Sequence, residues 1–279
     1  MFSVREVIEA TQAVAAVRDE RVTAFSAVVT DTRKIEPGAL FIALKGERFN
    51  GEDFAADAVA AGAAGVLLSD ACPSGKYEAV EGADVLLVPD TLAAYQQLAH
   101  AWRERFTLPV VAITGSNGKT TTKDLTAAVL SARGPVLKTQ ANFNNEIGLP
   151  LTLLGLRKKH TAAVVEIGMR GFHQIEALAP VANPSIGIVT NVGETHMELL
   201  GSLENIAKAK AELVEAIGPG GTVILNADNV YVAAMRDKVQ EGVRVLTFGL
   251  EKSADVKGAD IRTAAGKTTF AVTYAGETH

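Results

Sequence analysis

The sequence is poor in cysteine and aromatic residues, and it has no long uninterrupted hydrophobic run. Its single cysteine, Cys72, excludes a disulfide framework and a cysteine-based zinc site. No run approaches the roughly 20 apolar residues of a membrane span. Residues 1–17 carry Arg5, Glu6 and Glu9 within an apolar pattern, which predicts an amphipathic helix rather than a signal peptide. We therefore expect a cytoplasmic protein.

An excess of positive charge is also absent, because 27 lysines and arginines face 32 aspartates and glutamates, which gives a net charge of −5. Proteins that bind nucleic acids or membrane surfaces usually show a basic patch, so neither partner is expected. Apolar residues are abundant, because 48% of the residues are hydrophobic. This content excludes disorder for most of the chain. Its 279 residues exceed one typical domain of roughly 100–200 residues, so two domains are predicted. We expect a monomer.

Apolar, β-branched segments alternate with helical patterns, which predicts an α/β fold. A small N-terminal α/β domain is expected over 1–90, followed by a connecting segment over 91–108 whose helical pattern runs from Thr91 to Phe106. Over 109–279 we expect a second α/β domain with a mostly parallel sheet covered by helices on both faces. Near the end, DIRTAAGKTTFAVTYAGE alternates polar and apolar residues around Ala-Gly, which predicts a hairpin.

The strongest motif is AITGSNGKTTT, which follows an apolar strand and opens a helix, as a phosphate-binding loop does. Gly115 and Gly118 permit a tight turn that presents backbone N–H groups, and the helix N-terminus adds its positive end. Lys119 is expected to reach the β- and γ-phosphates, and Thr120 to ligate Mg²⁺. The loop departs from G-x-x-x-x-G-K-S/T because Ile113 occupies the first glycine position. A plain strand-to-helix turn with a solvent-facing lysine is the competing interpretation.

Three polar residues occupy positions where apolar residues are the norm. Glu166 ends the apolar run AAVVEIG and His196 follows SIGIVTNV, so both are expected at the carboxyl edge of the sheet, where they are candidate metal ligands. Lys210 falls on the apolar stripe of a helix predicted over 202–217, where a lysine must snorkel, pair or lose its charge. The competing interpretations are a salt-bridged glutamate, a loop histidine and a snorkelling lysine.

Weaker candidates lie in three further polar segments. An amide-rich loop, ANFNNEIGLP, offers hydrogen bonds to a polar ligand, and NADN follows a strand where a nucleotide base or ribose is expected. Turn formation and helix capping compete with both interpretations. In the N-terminal domain, Asp-Thr-Arg at a strand end is a weak candidate for binding the phosphates of a second ligand. The candidates are Ser26, Asp31, Arg33, Asn144, Asn145, Asn226 and Asp228.

Together these segments resemble the Mur ligase family of peptidoglycan synthesis over nearly the whole chain. TGSNGKTTTKD resembles the family's ATP loop, and TDTRKIEPGALFIALKGERFNGEDFAADAVAAGAAGVL its UDP-binding N-terminal domain. ANFNNEIGLPLTLL, EIGMRGFHQIEALAPVANPSIGIVTNVGETHMELLGS and NIAKAKAEL favour the branch that joins D-alanyl-D-alanine to UDP-N-acetylmuramoyl-tripeptide. The branch that adds the third peptide residue is expected to read Glu-Val-Ser-Ser where this chain has Glu-Ile-Gly-Met at 166–169.

The resemblance implies a role for each candidate residue. The implied ATP contacts, with the last two residues on the adenine side, are Thr114, Gly115, Ser116, Asn117, Gly118, Lys119, Thr120, Asn226 and Asp228. The implied catalytic residues are Lys119, Glu166, His196 and Lys210, and the implied Mg²⁺ ligands are Thr120, Glu166, His196 and Lys210, the last as a carbamate. The implied contacts with uridine diphosphate are Ser26, Asp31 and Arg33, and those with the muramoyl-peptide are Asn144 and Asn145.

The resemblance also implies a reaction. The γ-phosphoryl group of ATP passes to the terminal carboxylate of the tripeptide, and the amine of D-alanyl-D-alanine then displaces phosphate through a tetrahedral intermediate. The family has a third domain that completes the ATP and dipeptide sites, so we expect this chain, which ends at His279, to be a fragment or a naturally shortened product. The alternatives are a non-catalytic nucleotide-binding fragment, the third-residue ligase, folylpolyglutamate synthetase and a generic P-loop phosphotransferase.

Overall fold

The protein divides into two compact units, Met1–Trp102 and Arg103–His279. The computed structural model describes residues 1–46, 49–78, 80–195 and 197–279. The predicted α/β fold class is confirmed, because both units carry helices beside a mostly parallel sheet. Within the described ranges, no helix is both long enough and apolar enough to cross a bilayer.

The first unit is built on a sheet with the strand order β2-β7-β6-β5-β4, in which β2 runs antiparallel to β7 and the other pairs are parallel. A separate antiparallel pair joins β1 and β3. The core of the first unit packs α2 against the five-stranded sheet through buried residues such as Ala58, Val66 and Leu68. The elements are β1 (Phe2–Ser3), α1 (Val4–Thr11), β2 (Val14–Val17), β3 (Ala24–Phe25), β4 (Val28–Val29), β5 (Leu40–Ile42), α2 (Ala55–Ala60), β6 (Gly65–Ser69), α3 (Ser74–Tyr77), β7 (Asp84–Val88) and α4 (Thr91–Arg103).

The first helix is shorter than the sequence predicts. Ser3 and Glu6 form a capping box at its start, and Gln12, with φ 56°, ends it in the left-handed region. The prediction of a helix through residue 17 is therefore wrong beyond Thr11, because Val14–Val17 forms β2. The partner strand, β7, lies far along the chain, so local periodicity carries no sign of this pairing.

The second unit is built on a larger sheet with the strand order β16-β15-β14-β13-β12-β11-β8-β10-β9. The strands from β9 to β14 in this order are parallel, and β15 and β16 are antiparallel additions. The elements are β8 (Val110–Thr114), α5 (Lys119–Leu130), β9 (Val136–Lys138), α6 (Gly148–Leu154), β10 (Ala162–Glu166), α7 (Gln174–Ala182), β11 (Ile186–Val189), α8 (Met197–Leu200), α9 (Leu203–Glu215), β12 (Thr222–Asn226), α10 (Val230–Ala234), β13 (Arg244–Gly249), β14 (Val256–Ala264), β15 (Lys267–Tyr274) and β16 (Glu277–Thr278).

Strand β8 lies at the topological switch point of this sheet. The chain passes from β8 to β9 and β10 on one side, and then to β11 on the other side of β8. Ligands of open parallel sheets bind in the crevice beyond the carboxyl ends of the strands at such a point. Helix α5 covers the sheet here through a core that includes Val111, Ile113, Ala127 and Val164. The fold therefore predicts a ligand site beyond the carboxyl end of β8.

The C-terminal hairpin is present as predicted. Strands β14 and β15 pair antiparallel, and Ala265 and Gly266 between them have φ of 49° and 73°. Two successive positive φ values are characteristic of the turns that suit the twist of a two-residue hairpin.

Candidate functional site

The candidate residues of the second unit meet beyond the carboxyl ends of β8, β10 and β11. Thr114 ends β8, Glu166 ends β10, and Thr190 follows β11. The strands pair in register, with Glu166 opposite Ile113 and Val189 opposite Thr114, so their ends share one edge of the sheet. The sheet therefore brings together residues that lie far apart in the sequence.

The loop between β8 and α5 depends on its two glycines. Gly115 has φ 150°, and a Cβ at this position would collide with Thr190 Oγ1. Gly118 has φ 81° and directly precedes Lys119, the first residue of α5. Only glycine adopts such backbone conformations without steric cost. The glycines thus let the loop lie against the segment after β11 and turn directly into the helix.

Hydrogen bonds to the segment after β11 hold this loop in shape. The Ser116 N–H donates to the Asn191 carbonyl at 3.0 Å, and the Asn117 N–H donates to Asn191 Oδ1 at 2.8 Å. Ser116 Oγ donates to the Gly193 carbonyl and accepts the Gly193 N–H, while Thr190 Oγ1 donates to the Asn117 carbonyl at 2.6 Å. Sequence reasoning missed Thr190, Asn191 and Gly193, although their place after an apolar strand was an available signal.

Lys119 is folded back onto its own loop. Its Nζ donates to the Gly115 carbonyl at 2.8 Å and lies 3.4 Å from the Ser116 carbonyl. These neutral partners are weaker than the anionic oxygens of a phosphate. The Thr114 hydroxyl, by contrast, is fully buried and has no hydrogen-bond partner among the described residues, so Thr114 presents its backbone at this edge.

Glu166 is the centre of a hydrogen-bonded cluster. Its side chain is buried, with the residue 3% exposed, and one carboxylate oxygen accepts the Thr120 hydroxyl at 2.9 Å. The other oxygen accepts Asn144 Nδ2 at 2.8 Å, and the Glu166 N–H donates to Thr139 Oγ1 at 3.0 Å. The first residues of α5 and the end of β10 therefore present a hydroxyl and a carboxylate side by side.

These oxygen atoms fit a magnesium ion, because Mg²⁺ prefers hard oxygen ligands and usually takes only one or two carboxylates from the protein. Across the described part of the chain, no group of three or more His, Cys, Asp and Glu side chains forms a denser metal cluster. Of the other two implied ligands, His196 lies outside the described residues and Lys210 lies on α9. Thr120 and Glu166 are thus the described pair that suits a cation beside the phosphate loop.

Lys210 lies on the buried face of α9, as its spacing predicts, and is 2% exposed. Burial, reinforced by the charge of Lys119, lowers the pKa of Lys210 from 10.5 to about 7. Helix α9 is held against α7 because the buried carboxylate of Glu212 accepts the backbone N–H groups of His173, Ile175 and Glu176. With a pKa of about 7, roughly half of such an amine is uncharged at neutral pH, and the uncharged form is nucleophilic.

Asn226 and Asp228 make internal contacts beyond the end of β12. Asn226 Nδ2 donates to the Thr190 carbonyl at 2.9 Å, which ties β12 to the segment behind the phosphate loop. The Asp228 carboxylate accepts backbone N–H groups of residues 250–252, and these bonds lower its pKa. Helix capping is the competing interpretation for this segment. The neighbouring Asn229 performs it, because its Oδ1 accepts the Val232 N–H at the start of α10.

The amide-rich loop contains a residue for each of its two expected roles, turn formation and contact with the site. Asn145 Oδ1 accepts the N–H of Gly148, the first residue of α6, and so stabilises the turn before that helix, whereas Asn144 contacts Glu166. Gly168 donates its N–H to the Asn144 carbonyl, and a Cβ on Gly168 would lie 3.0 Å from the Asn144 side chain. Glycine at 168 therefore leaves room for Asn144 beside Glu166.

The candidates of the first unit lie between β3 and β5 and contact one another locally. The Asp31 carboxylate forms an ion pair with Arg33 at 2.8 Å and caps a 3-10 turn, Thr32–Lys34. The hydrogen bond from Arg33 lowers the pKa of Asp31 to about 2. Ser26 Oγ donates to the Pro37 carbonyl at 3.0 Å. The Arg33 side chain is 86% exposed, so its guanidinium faces solvent rather than a closed site.

A glycine-rich loop between β8 and α5, at the switch point of a parallel sheet, defines the second unit as a P-loop nucleotide-binding α/β unit. Residues 113–279 match the family described as the Mur ligase middle domain, and residues 24–103 match that described as the Mur ligase family, catalytic domain. The chain belongs to the Mur ligase family.

Similar proteins from other organisms carry more specific names. UDP-N-acetylmuramoyl-tripeptide–D-alanyl-D-alanine ligase of Synechocystis is 49% identical over 83% of this chain, and that of Bacillus subtilis is 47% identical over 74%. A crystal structure of MurF from Acinetobacter baumannii superposes with a TM-score of 0.89 at 30% identity, covering 100% of this chain and 59% of that one. MurF of Thermotoga maritima in complex with ADP gives 0.80 at 27% identity, covering 91% and 57%. The chain covers 50% and 44% of the two curated relatives, or about half of their length.

Proposed function

We propose that this chain is the substrate-binding and ATP-binding part of a ligase that joins D-alanyl-D-alanine to UDP-N-acetylmuramoyl-tripeptide in cytoplasmic peptidoglycan precursor synthesis. The observation that supports it most is the Thr120–Glu166 pair directly after a phosphate loop held in place by Gly115. The names of the relatives supply the substrates. The glycine at 168, which accommodates Asn144, favours this branch over the third-residue ligase. We propose a monomer without nucleic-acid or membrane partners.

In this proposal the second unit binds ATP with Mg²⁺. Lys119 exchanges the Gly115 and Ser116 carbonyls for the β- and γ-phosphates. The Ser116 and Asn117 N–H groups already donate to Asn191, so the N–H groups of Gly118 and the start of α5 hold the phosphate oxygens. Thr120 and Glu166, with His196 and a carbamylated Lys210, hold Mg²⁺, which when bound neutralises phosphate charge. Asn226 and Asp228 lie on the base side of the nucleotide.

In this proposal the N-terminal domain, over 1–90 within the first unit, binds the uridine diphosphate part of the other substrate. Arg33 is exposed and paired with its neighbour Asp31, so its guanidinium is available to a diphosphate at small cost. Ser26 and Asp31 complete this group. In the second unit, Asn144 and Asn145 face the peptide. The segment over 91–108, which begins with α4, connects the two domains.

The reaction then needs few chemical groups from the protein. A carboxylate oxygen of the tripeptide attacks the γ-phosphorus. The bond from that phosphorus to the oxygen that bridges the β- and γ-phosphates breaks, and ADP leaves. The amine of D-alanyl-D-alanine attacks the resulting acyl phosphate, loses a proton and expels inorganic phosphate, which leaves an amide. Lys119 aligns the reactants and balances part of the charge of the phosphates, and Thr120 and Glu166 would hold the Mg²⁺ that supplies further positive charge there.

A coupled phosphate-release assay with ATP, UDP-N-acetylmuramoyl-tripeptide and D-alanyl-D-alanine tests the proposal. It compares this chain with the chain extended by the remaining segment of a relative, because the chain spans about half of the relatives' length. We expect release by the extended protein that requires both substrates and disappears in its Lys119→Ala variant. Release that instead requires the corresponding dipeptide substrate and a free amino acid would identify the third-residue ligase.

Nucleotide binding without catalysis is the second candidate, and the same fact about length favours it. Binding of ADP by the chain, with no phosphate release by either form, is the result expected from that function. Absence of both binding and release would contradict both functions.

A further inference from the structure

Lys123 is a buried lysine for which the proposed function gives no role. It lies on α5 one turn beyond Thr120 and is 3% exposed. Burial of an ammonium group costs free energy unless hydrogen bonds or an opposite charge compensate it. Lys123 Nζ donates to the Thr139 carbonyl at 2.9 Å and lies 3.4 Å from Asp124 Oδ1. The Lys123 amine is therefore held inside the fold by a specific bond to Thr139.

Thr139 joins the end of β9 to the end of β10. It is fully buried, and its N–H donates to the Val164 carbonyl at 3.1 Å. Its hydroxyl accepts the Glu166 N–H at 3.0 Å. Lys123 holds the Thr139 carbonyl, so a continuous set of hydrogen bonds runs from α5 through Thr139 to the backbone of Glu166.

Helix α5 therefore reaches Glu166 at two points. Thr120 donates to the carboxylate, and Lys123, three residues later on the same face of the helix, acts through Thr139 on the backbone. A methionine at 123 would fill similar space without the cost of burying a charge. Methionine would lack the N–H donor that fixes the Thr139 carbonyl. The lysine therefore serves to position Thr139 rather than to fill space.

We propose that Lys123 and Thr139 are positioning residues that hold Glu166 where its carboxylate meets Thr120 and Mg²⁺. The inference rests on the proposed nucleotide-binding function and extends it to residues that contact neither nucleotide nor metal. Two contributions to nucleotide affinity are then separate. Lys119 acts on the phosphates directly, whereas Lys123 and Thr139 govern only the gain in nucleotide affinity that Mg²⁺ provides.

Calorimetric titration of ADP into the chain, with Mg²⁺ and separately with EDTA, tests this division. In the wild-type chain we expect Mg²⁺ to tighten ADP binding. In Lys123→Met and in Thr139→Val, about tenfold or more of this gain should disappear, as is typical when the groups that orient metal ligands are removed. Affinity in EDTA should stay unchanged. Thr139→Ser keeps the hydroxyl and should restore the gain.

Lys138→Met is the matched control. Lys138 Nζ also binds Asp124, at 2.7 Å, but has no bond to Thr139, so its loss should leave the Mg²⁺ gain intact. If Lys123→Met is unfolded by circular dichroism, the contrast between Thr139→Val and Thr139→Ser decides the matter.

Equal Mg²⁺ gains in all variants, even with lowered stability, would show that Lys123 and Thr139 are only structural and would overturn the inference. A wild-type chain that binds ADP without any gain from Mg²⁺ would overturn it as well. A wild-type chain that binds no ADP under either condition would contradict the proposed function itself and, with it, the inference.

Discussion

Two hydrogen-bonded pairs show how differently the two units prepare their candidate sites. In the first unit, Asp31 and Arg33 are two residues apart, and the Arg33 side chain is 86% exposed. In the second unit, Thr120 and Glu166 are 46 residues apart, and Glu166 is 3% exposed. The first pair forms because its partners are neighbours in the chain. The second forms only because the sheet brings β10 beside β8, so it is arranged before any ligand binds.

The largest effect that would break this arrangement is expected from Gly115→Ala. The new Cβ would meet Thr190 Oγ1, and φ 150° is strained for alanine, so we expect a loss of about 2–4 kcal/mol in the stability of the second unit. Urea unfolding followed by far-ultraviolet circular dichroism measures it. Gly118→Ala is the control, because among the described residues its Cβ would meet no heavy atom within 4 Å beyond the adjoining backbone, and its φ of 81° is the unfavourable feature. A loss of about 1–2 kcal/mol is expected there; equal losses would show that the contact with Thr190 does not shape the loop.

Lys119→Ala should weaken nucleotide binding with little change in stability. The lysine's partners in the free chain are carbonyls of its own loop, whereas charge-assisted bonds to phosphate contribute about 1.5–3 kcal/mol, or roughly tenfold to a hundredfold in affinity. Calorimetric titration of ATP measures this, with Lys208→Ala, an exposed lysine on α9, as the control. Unchanged affinity would remove the phosphate-loop assignment.

Lys210 should make the stability of the second unit depend on pH. Its pKa is lowered from 10.5 to about 7, so between these values the unfolded chain binds more protons than the folded one. Stability should therefore rise with pH from about 7 toward 10.5, by at most about 1.4 kcal/mol per pH unit. Urea unfolding in carbonate-free buffer measures the slope, and Lys210→Met should abolish this contribution. Parallel curves for the two proteins would contradict the buried, uncharged amine.

The smallest effect is expected from Arg33→Ala in the first unit. The exposed pair adds little to the fold, so the unfolding midpoint should not change measurably. The pKa of Asp31 should rise from about 2 toward its ordinary value of 3.8, because the hydrogen bond from Arg33 is the main cause of its lowering. Titration of the Asp31 carboxyl by NMR detects this, and Lys34→Ala should give a smaller rise. An unchanged Asp31 pKa would mean that the pair does not persist in solution.

The residues that local reasoning identified share a local signal. AITGSNGKTTT shows its strand, its glycines and its helix start within one segment, and Glu166 stands out as a carboxylate at the end of an apolar run. Thr139 carries no such signal, and Thr190 and Asn191 show only their place after an apolar strand, because the roles of all three depend on partners that the sheet supplies. Strand β2 was misread as helix for the same reason, since only its pairing with β7 decides its conformation.

The sequence by itself determined the alternation of strands and helices, the phosphate loop and the apolar face that carries Lys210, because periodicity and glycine positions are local properties of a chain. Only the tertiary structure decided which polar residues meet. It placed Glu166 between Thr120, Asn144 and Thr139, and it directed the Asp228 carboxylate to the loop after β13. The order of strands in the sheet sets those distances, and that order depends on contacts between residues far apart in the chain.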